Sequence, residues 1–235
     1  MDPTRLKAIV FDVDGTLYRQ SPLRRAMLFR LLWEALARPI STVATFRVLK
    51  AYRRAQEDLR GTEVGDLASE QIRLASERSG HTAHAVARIV DRWMHEEPLS
   101  LLERFVEPAL RPLLEVARQR GIRLGIFSDY PAAAKLKAMR LSEFFDVVVT
   151  AQDAEVNRFK PHPSGIVEAL RRLETPPTEA LYVGDRHEVD GAAARAAGVP
   201  CIIVGRRRNP NPAEDWIPAP GYGVLHNMLF PPRAS

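Results

Sequence analysis

The sequence predicts an α/β chain: a Rossmann-like, doubly wound parallel sheet core with an inserted all-helical subdomain. Three observations predict it. An apolar run from Ala8 to Phe11 ends abruptly in Asp12-Val13-Asp14-Gly15-Thr16-Leu17, as a buried parallel strand does when its carboxyl end meets a polar site. From Val106 onward, short apolar segments alternate with helical ones, the rhythm of βαβ units. Between them, residues 19 to about 100 carry helical periodicity and no strand signal, a stretch too long for a loop within a compact domain. The expected division is therefore a core of residues 1–18 plus 106–235 and a helical unit of residues 19–105.

Each element has a local reason. Leu23, Met27, Leu31 and Ala35 recur at helical spacing from Pro22 to Ala37, with Leu28, Leu32 and Leu36 beside them, as a bundle core requires. Ser21-Pro22 reads as a cap and first turn, and Arg30 and Glu34 stand four apart, in reach of one another. Pro39 stops this helix. Further helices are expected over Ser41–Leu59, Asp66–Arg78 and Thr82–His95. The α/β rhythm then places a helix at Pro108–Arg120, a strand at Ile122–Phe127, a helix at Ala132–Met139 and a strand at Phe145–Val149. It continues with a helix at Pro163–Leu173, a strand at Ala180–Val183, a helix at Asp190–Ala197 and a strand at Val199–Val204. Beyond Arg206-Arg207-Arg208 the composition turns proline-rich, and Gly221–Phe230 is expected to pack on the sheet edge.

Composition narrows the class. The 235 residues are 46% hydrophobic and 27% charged, ordinary values for a globular chain with room for a core. Cys201 is the single cysteine, so no internal disulfide forms and a reducing compartment fits. The first strand begins within a few residues of Met1, leaving no room for a signal peptide, and no apolar run approaches the ~20 residues of a membrane span. The expected location is cytoplasmic. Net charge is +5, yet residues 19–60 alone carry +7 and the remainder −2. Such a local excess attracts an anionic substrate, nucleic acid or a membrane surface. A solvated helix face is the preferred reading, nucleic acid is not expected, and membrane-surface contact through Arg19–Arg60 stands as the minor alternative. Oligomeric state is not legible.

Strand side chains at i and i+2 share a face, so Asp12 and Asp14 point into one pocket at a strand's carboxyl end, where open α/β sheets bind ligands. Paired carboxylates attract a hard cation such as Mg²⁺. Gly15 permits a tight turn and close approach of an anion, and Thr16 adds a hydroxyl donor. Three further strand ends carry polar groups in sequence: Ser128, then Lys160 on a loop, then Asp185 and Asp190. Singly, each reads equally well as a turn residue, a surface lysine or a helix cap. In a parallel sheet all of them converge on one edge.

In that order and rhythm the chain resembles the haloacid dehalogenase-like hydrolases, a superfamily dominated by Mg²⁺-dependent phosphatases. Asp12-Val13-Asp14-Gly15-Thr16-Leu17 resembles their first motif, Phe127-Ser128 the second, Lys160 in Phe159-Lys160-Pro161 the third, and Gly184-Asp185 through Asp190 the fourth. The helical insertion lies where the helical-cap class, including the phosphoglycolate phosphatase-like members, places its cap. The resemblance implies Asp12 as nucleophile and Asp14 as acid and base. It implies Ser128, Lys160, Gly15 and Thr16 as phosphate contacts, and Mg²⁺ held by Asp12, the Asp14 carbonyl, Asp185 and Asp190. Asp129 stands where asparagine is frequent, and Arg186 where a small hydroxyl residue is common. A dehalogenase would not need an acid at Asp14, so phosphoryl transfer is expected. A sugar-phosphate mutase shares every motif and is the alternative. A non-catalytic binding protein would have lost at least one of Asp12, Asp14, Lys160 and Asp185.

Overall fold

The computed structural model describes residues 5–205 and 215–231. Arg206-Arg207-Arg208 and the extreme C-terminal tail lie outside the described residues. Six strands form one parallel sheet: β1 (Ala8–Phe11), β2 (Arg123–Ser128), β3 (Val147–Thr150), β4 (Ala180–Gly184), β5 (Cys201–Val204) and β6 (Trp216–Ala219), in the order β3-β2-β1-β4-β5-β6. β1 pairs with β2 on one side and β4 on the other, with Phe11 opposite both Ile126 and Val183. The chain winds outward from β1 in both directions, so the gap between β1 and β4 is the topological switch point, where such sheets bind ligands.

Alternation along β1 builds both layers. Ile9 and Phe11 pack with Leu110, Leu113 and Leu114 of α6 (Leu110–Gln119) and Leu225 of α10 (Tyr222–Leu229). Ala8 and Val10 pack with Ile166 and Leu170 of α8 (Ser164–Arg172) and Ala193 of α9 (Ala192–Ala196) on the other face. As expected, α10 packs on the edge strand β6. That strand itself is missing from the sequence reading: Pro218 interrupts Trp-Ile-Pro-Ala, and a proline is tolerated only on an edge.

Residues 20–105 carry helices only: α1 (Gln20–Ala37), α2 (Pro39–Leu59), α3 (Leu67–Ser79), α4 (Ala83–Val90), a π-helical turn at Asp91–Glu96, α5 (Leu99–Leu102) and a short 3₁₀ turn. The two connections to the sheet run side by side, joined by a bridge between Tyr18 and Val106. Asp66 caps α3 by accepting the Ala68 and Ser69 N–H groups. Ser21 does not cap α1, which starts at Gln20 after Arg19 without a side-chain cap. Arg30 and Glu34 do not pair: Arg30 donates to Glu97 and Glu34 accepts from Arg92, because neighbouring elements outcompete the i,i+4 contact. Of the α1 leucines only Leu23 and Leu31 are buried, while Leu28, Leu32 and Leu36 are exposed, so the inner stripe is narrower than the periodicity implies. No helix among the described residues is long and apolar enough to cross a membrane.

Candidate active site

The catalytic candidates assemble at the carboxyl ends of β1, β2 and β4. Asp12 follows β1 directly and is 5% exposed. Its backbone N–H donates to the Val183 carbonyl, extending the β1–β4 ladder to this residue. Lys160 Nζ donates to Asp12 Oδ1 at 2.6 Å and to Asp190 Oδ1 at 2.7 Å. Thr16, expected to face substrate, is fully buried, and its hydroxyl donates to Asp12 Oδ2 at 3.0 Å. That hydroxyl therefore orients the carboxylate. Ser128 ends β2 and accepts the Tyr130 N–H at 3.3 Å.

Asp14 is separated from this group and has its own cation. Lys135, on α7 (Ala133–Ala138), donates to both Asp14 oxygens at 2.6 and 2.7 Å, and the Tyr18 hydroxyl adds a third bond. Burial pushes the Asp14 carboxyl up, but the Lys135 charge and these hydrogen bonds outweigh it and hold the group below its ordinary range. No sequence signal separates Lys135 from its neighbour Lys137: they lie two apart in one short alanine-rich helix, the first buried and the second exposed.

Asp190 holds the loop after β4 together. Its Oδ2 accepts the N–H groups of Asp185 (3.2 Å) and Arg186 (3.0 Å), and its Oδ1 accepts from Lys160 and the Tyr182 hydroxyl. Two glycines make room. A Cβ on Gly184 would meet the Asp190 Cβ at 2.5 Å, and one on Gly15, at φ +99°, would collide with the Asp185 carboxylate.

Oxygens of Asp12, Asp185 and Asp190 lie within 4.8 Å of one another. Among the described residues, Lys160 is the cation bonded into this trio, whereas Lys135 is committed to Asp14 and Arg60 to Asp129. Burial and the neighbouring carboxylates push Asp12 up to about 8 and Asp185 to about 7. A buried set of hard oxygen donors with excess negative charge suits a small divalent cation, so these residues fit Mg²⁺.

Two residues of open role are now placed. Asp129 accepts from Gln56 (3.0 Å) and Arg60 (2.9 Å) of the helical segment and from the Lys160 N–H (3.1 Å). Its charge is thereby neutralised, and it ties α2 to the lysine loop. Arg186 faces Glu188 (3.2 Å) and Glu57 (3.6 Å) at the surface.

A strand-end carboxylate held by a buried lysine, beside an acid cluster that fits a divalent cation, marks an enzyme site of the doubly wound α/β class. The comparisons name the family. Residues 6–198 match the model of the haloacid dehalogenase-like hydrolases. The chain is 30% identical over 221 residues to a glyceraldehyde 3-phosphate phosphatase from Methanopyrus kandleri, covering 89% of each chain. It is 29% identical over 203 residues to a phosphoglycolate phosphatase from Yersinia pestis, covering 84% of this chain and 80% of that one. Its fold is similar to the crystal structure of a HAD phosphatase from Thermococcus onnurineus, with a TM-score of 0.61, 26% identity and coverage of 97% and 100%. The chain belongs to the haloacid dehalogenase-like hydrolases.

Proposed function

We propose that the chain is a Mg²⁺-dependent phosphatase that hydrolyses a small phosphorylated metabolite through an aspartyl phosphate on Asp12, with residues 19–105 as the cap. The observation that carries this reading is the pairing of buried Asp12 with Lys160, with a second, separately controlled carboxylate at Asp14. Two relatives named for small phosphate esters, glyceraldehyde 3-phosphate and phosphoglycolate, support it.

Asp12 and Asp185, with Asp190 and the Asp14 carbonyl, would hold the cation, which when bound would supply charge neutralisation for the phosphoryl group. Asp12 Oδ attacks phosphorus and the bond to the leaving oxygen breaks. Asp14 gives that oxygen a proton. Water then attacks phosphorus, its proton passes to Asp14, and the Asp12–phosphorus bond breaks, releasing inorganic phosphate. Asp14 needs both states. Lys135 and Tyr18 favour the ionised base, whereas a phosphate dianion bound nearby favours the protonated acid by repulsion. Lys160 keeps Asp12 oriented while neutralising it, and Thr16 fixes the other oxygen. A dehalogenase needs none of the Asp14 apparatus.

The test is phosphate release from p-nitrophenyl phosphate with Mg²⁺, with EDTA, and with Asp12→Asn. The expected result is turnover that needs the cation and is lost in the variant. Turnover that survives in Asp12→Asn contradicts the reading.

A further inference from the structure

The cavity above Asp12 is larger and less polar than a three-carbon phosphate needs. It has a volume of about 550 Å³ and runs from Asp12, Asp14 and Lys160 up between α1, α2 and residues 93–102. A cavity of that size suits a ligand of drug-like dimensions. Its two ends differ. At the phosphoryl end stand Lys135 and Lys160, and Arg53, whose charge acts on Asp14, Tyr18 and Tyr130. Beyond them apolar side chains such as Met27, Leu28, Phe46, Trp93 and Leu99 make up most of the wall, with Arg24, Lys50 and His95 set among them. Leu23, Leu31, Trp93 and Leu102 are buried and form the packed backing of that wall. A leaving group that is polar throughout would leave the apolar part of that wall unmatched. Leu28 and Phe46 line the mouth while 45% and 41% exposed, which continues the wall onto the outer apolar face of α1 and α2.

Resting on the phosphatase reading above, we infer that the preferred substrate is an amphiphilic phosphate monoester, its phosphoryl group at Asp12 and Lys160 and an alkyl-type body along α1, α2 and Trp93. The reaction is the same hydrolysis: the phosphorus–oxygen bond breaks, water is consumed, and an apolar alcohol and inorganic phosphate leave. Specificity thus rests mainly on the apolar part of this wall.

The test is kcat/KM for ethyl, butyl, hexyl and octyl phosphate, all monomeric in solution with Mg²⁺ present, with phosphoglycolate and glyceraldehyde 3-phosphate as polar comparators. The four alcohols are near-equal leaving groups, so chain length reads burial alone. The expected result is a rise of about threefold to fourfold per methylene, the value of burying one CH₂ group, with octyl phosphate above both comparators. Leu28→Asp and Phe46→Asp, two substitutions at partly exposed positions, should each flatten the slope. A flat series with the comparators cleaved, or a slope unchanged in both variants, overturns the inference alone. Release from no compound, comparators included, overturns the phosphatase reading and the inference with it. Phosphatidate in phosphatidylcholine vesicles separates the two sources: cleavage there and in the dissolved series supports a membrane-borne amphiphile, and cleavage of the dissolved series alone supports a free one.

Discussion

Two carboxylates two residues apart sit in different electrostatic settings because each pairs with a different lysine. Asp12 shares Lys160 with Asp190, whereas Asp14 holds Lys135 alone. Asp14→Asn is expected to lower kcat by about 10²–10⁴-fold, the usual contribution of a general acid and base, with the far-ultraviolet spectrum unchanged. Lys135→Met leaves burial to act on Asp14 without its counter-charge. The limb of the kcat/KM pH profile that reports Asp14 should then move to higher pH; a limb that stays in place shows that some other group titrates there. The strand-end acids were legible because an apolar run leads straight into them. Lys135 was not, since burial of one lysine among the alanines of α7 is decided by packing against Tyr130 and Asp14, far away in the chain.

Helix α2 is anchored to the sheet by a short polar strut. Arg60 donates to Asp129 and to the Lys160 carbonyl, and Gln56 donates to Asp129. Tyr130 extends the connection, since it packs with Val48, Tyr52 and Val86 in the helical core and bonds Gln56. Arg60→Ala removes charged hydrogen bonds at a half-buried site and should lower stability by about 2 kcal/mol, read as a drop in Tm. Because the same side chain holds the Lys160 loop, kcat/KM should fall as well; a lower Tm with unchanged kcat/KM would show the strut to be structural only. The helix boundaries were mostly readable to within a few residues from proline, glycine and capping residues, as at Asp66. What α1 covers was not readable. Periodicity marks a leucine-rich face, but how much of it is buried depends on the elements that reach it, and Leu32, Trp33 and Leu36 are left exposed.

The whole sheet concentrates negative charge at its switch point, which couples stability to pH and to the cation. Asp12 and Asp185 sit above their ordinary carboxylate range, at about 8 and about 7, chiefly through burial. The folded chain therefore binds more protons than the unfolded one between pH of about 4 and 8. Their contribution to stability is present below that window and lost as pH rises through it. In EDTA, Tm should fall as pH rises from 5 to 8, apart from any other titration. Mg²⁺ favours the charged carboxylates, so it should raise Tm most at the upper end of the window. A Tm gain from Mg²⁺ that is the same at pH 5 and pH 8 would contradict this linkage. The fold was legible because strand ends, glycines and helix breaks all point the same way, except at β6, where proline hides an edge strand. The cavity was not legible, because its wall is contributed by four elements whose facing is set only by the assembled fold.

The most direct measurement is an acid quench of the enzyme during turnover of p-nitrophenyl phosphate with Mg²⁺, followed by borohydride reduction and peptide mass analysis. An acyl phosphate on Asp12 is reduced to homoserine at position 12, and that conversion, absent in Asp12→Asn and in EDTA, is the expected result. Steady turnover with an unmodified Asp12 in every quench, or reduction at a different carboxylate, would contradict Asp12 as the nucleophile.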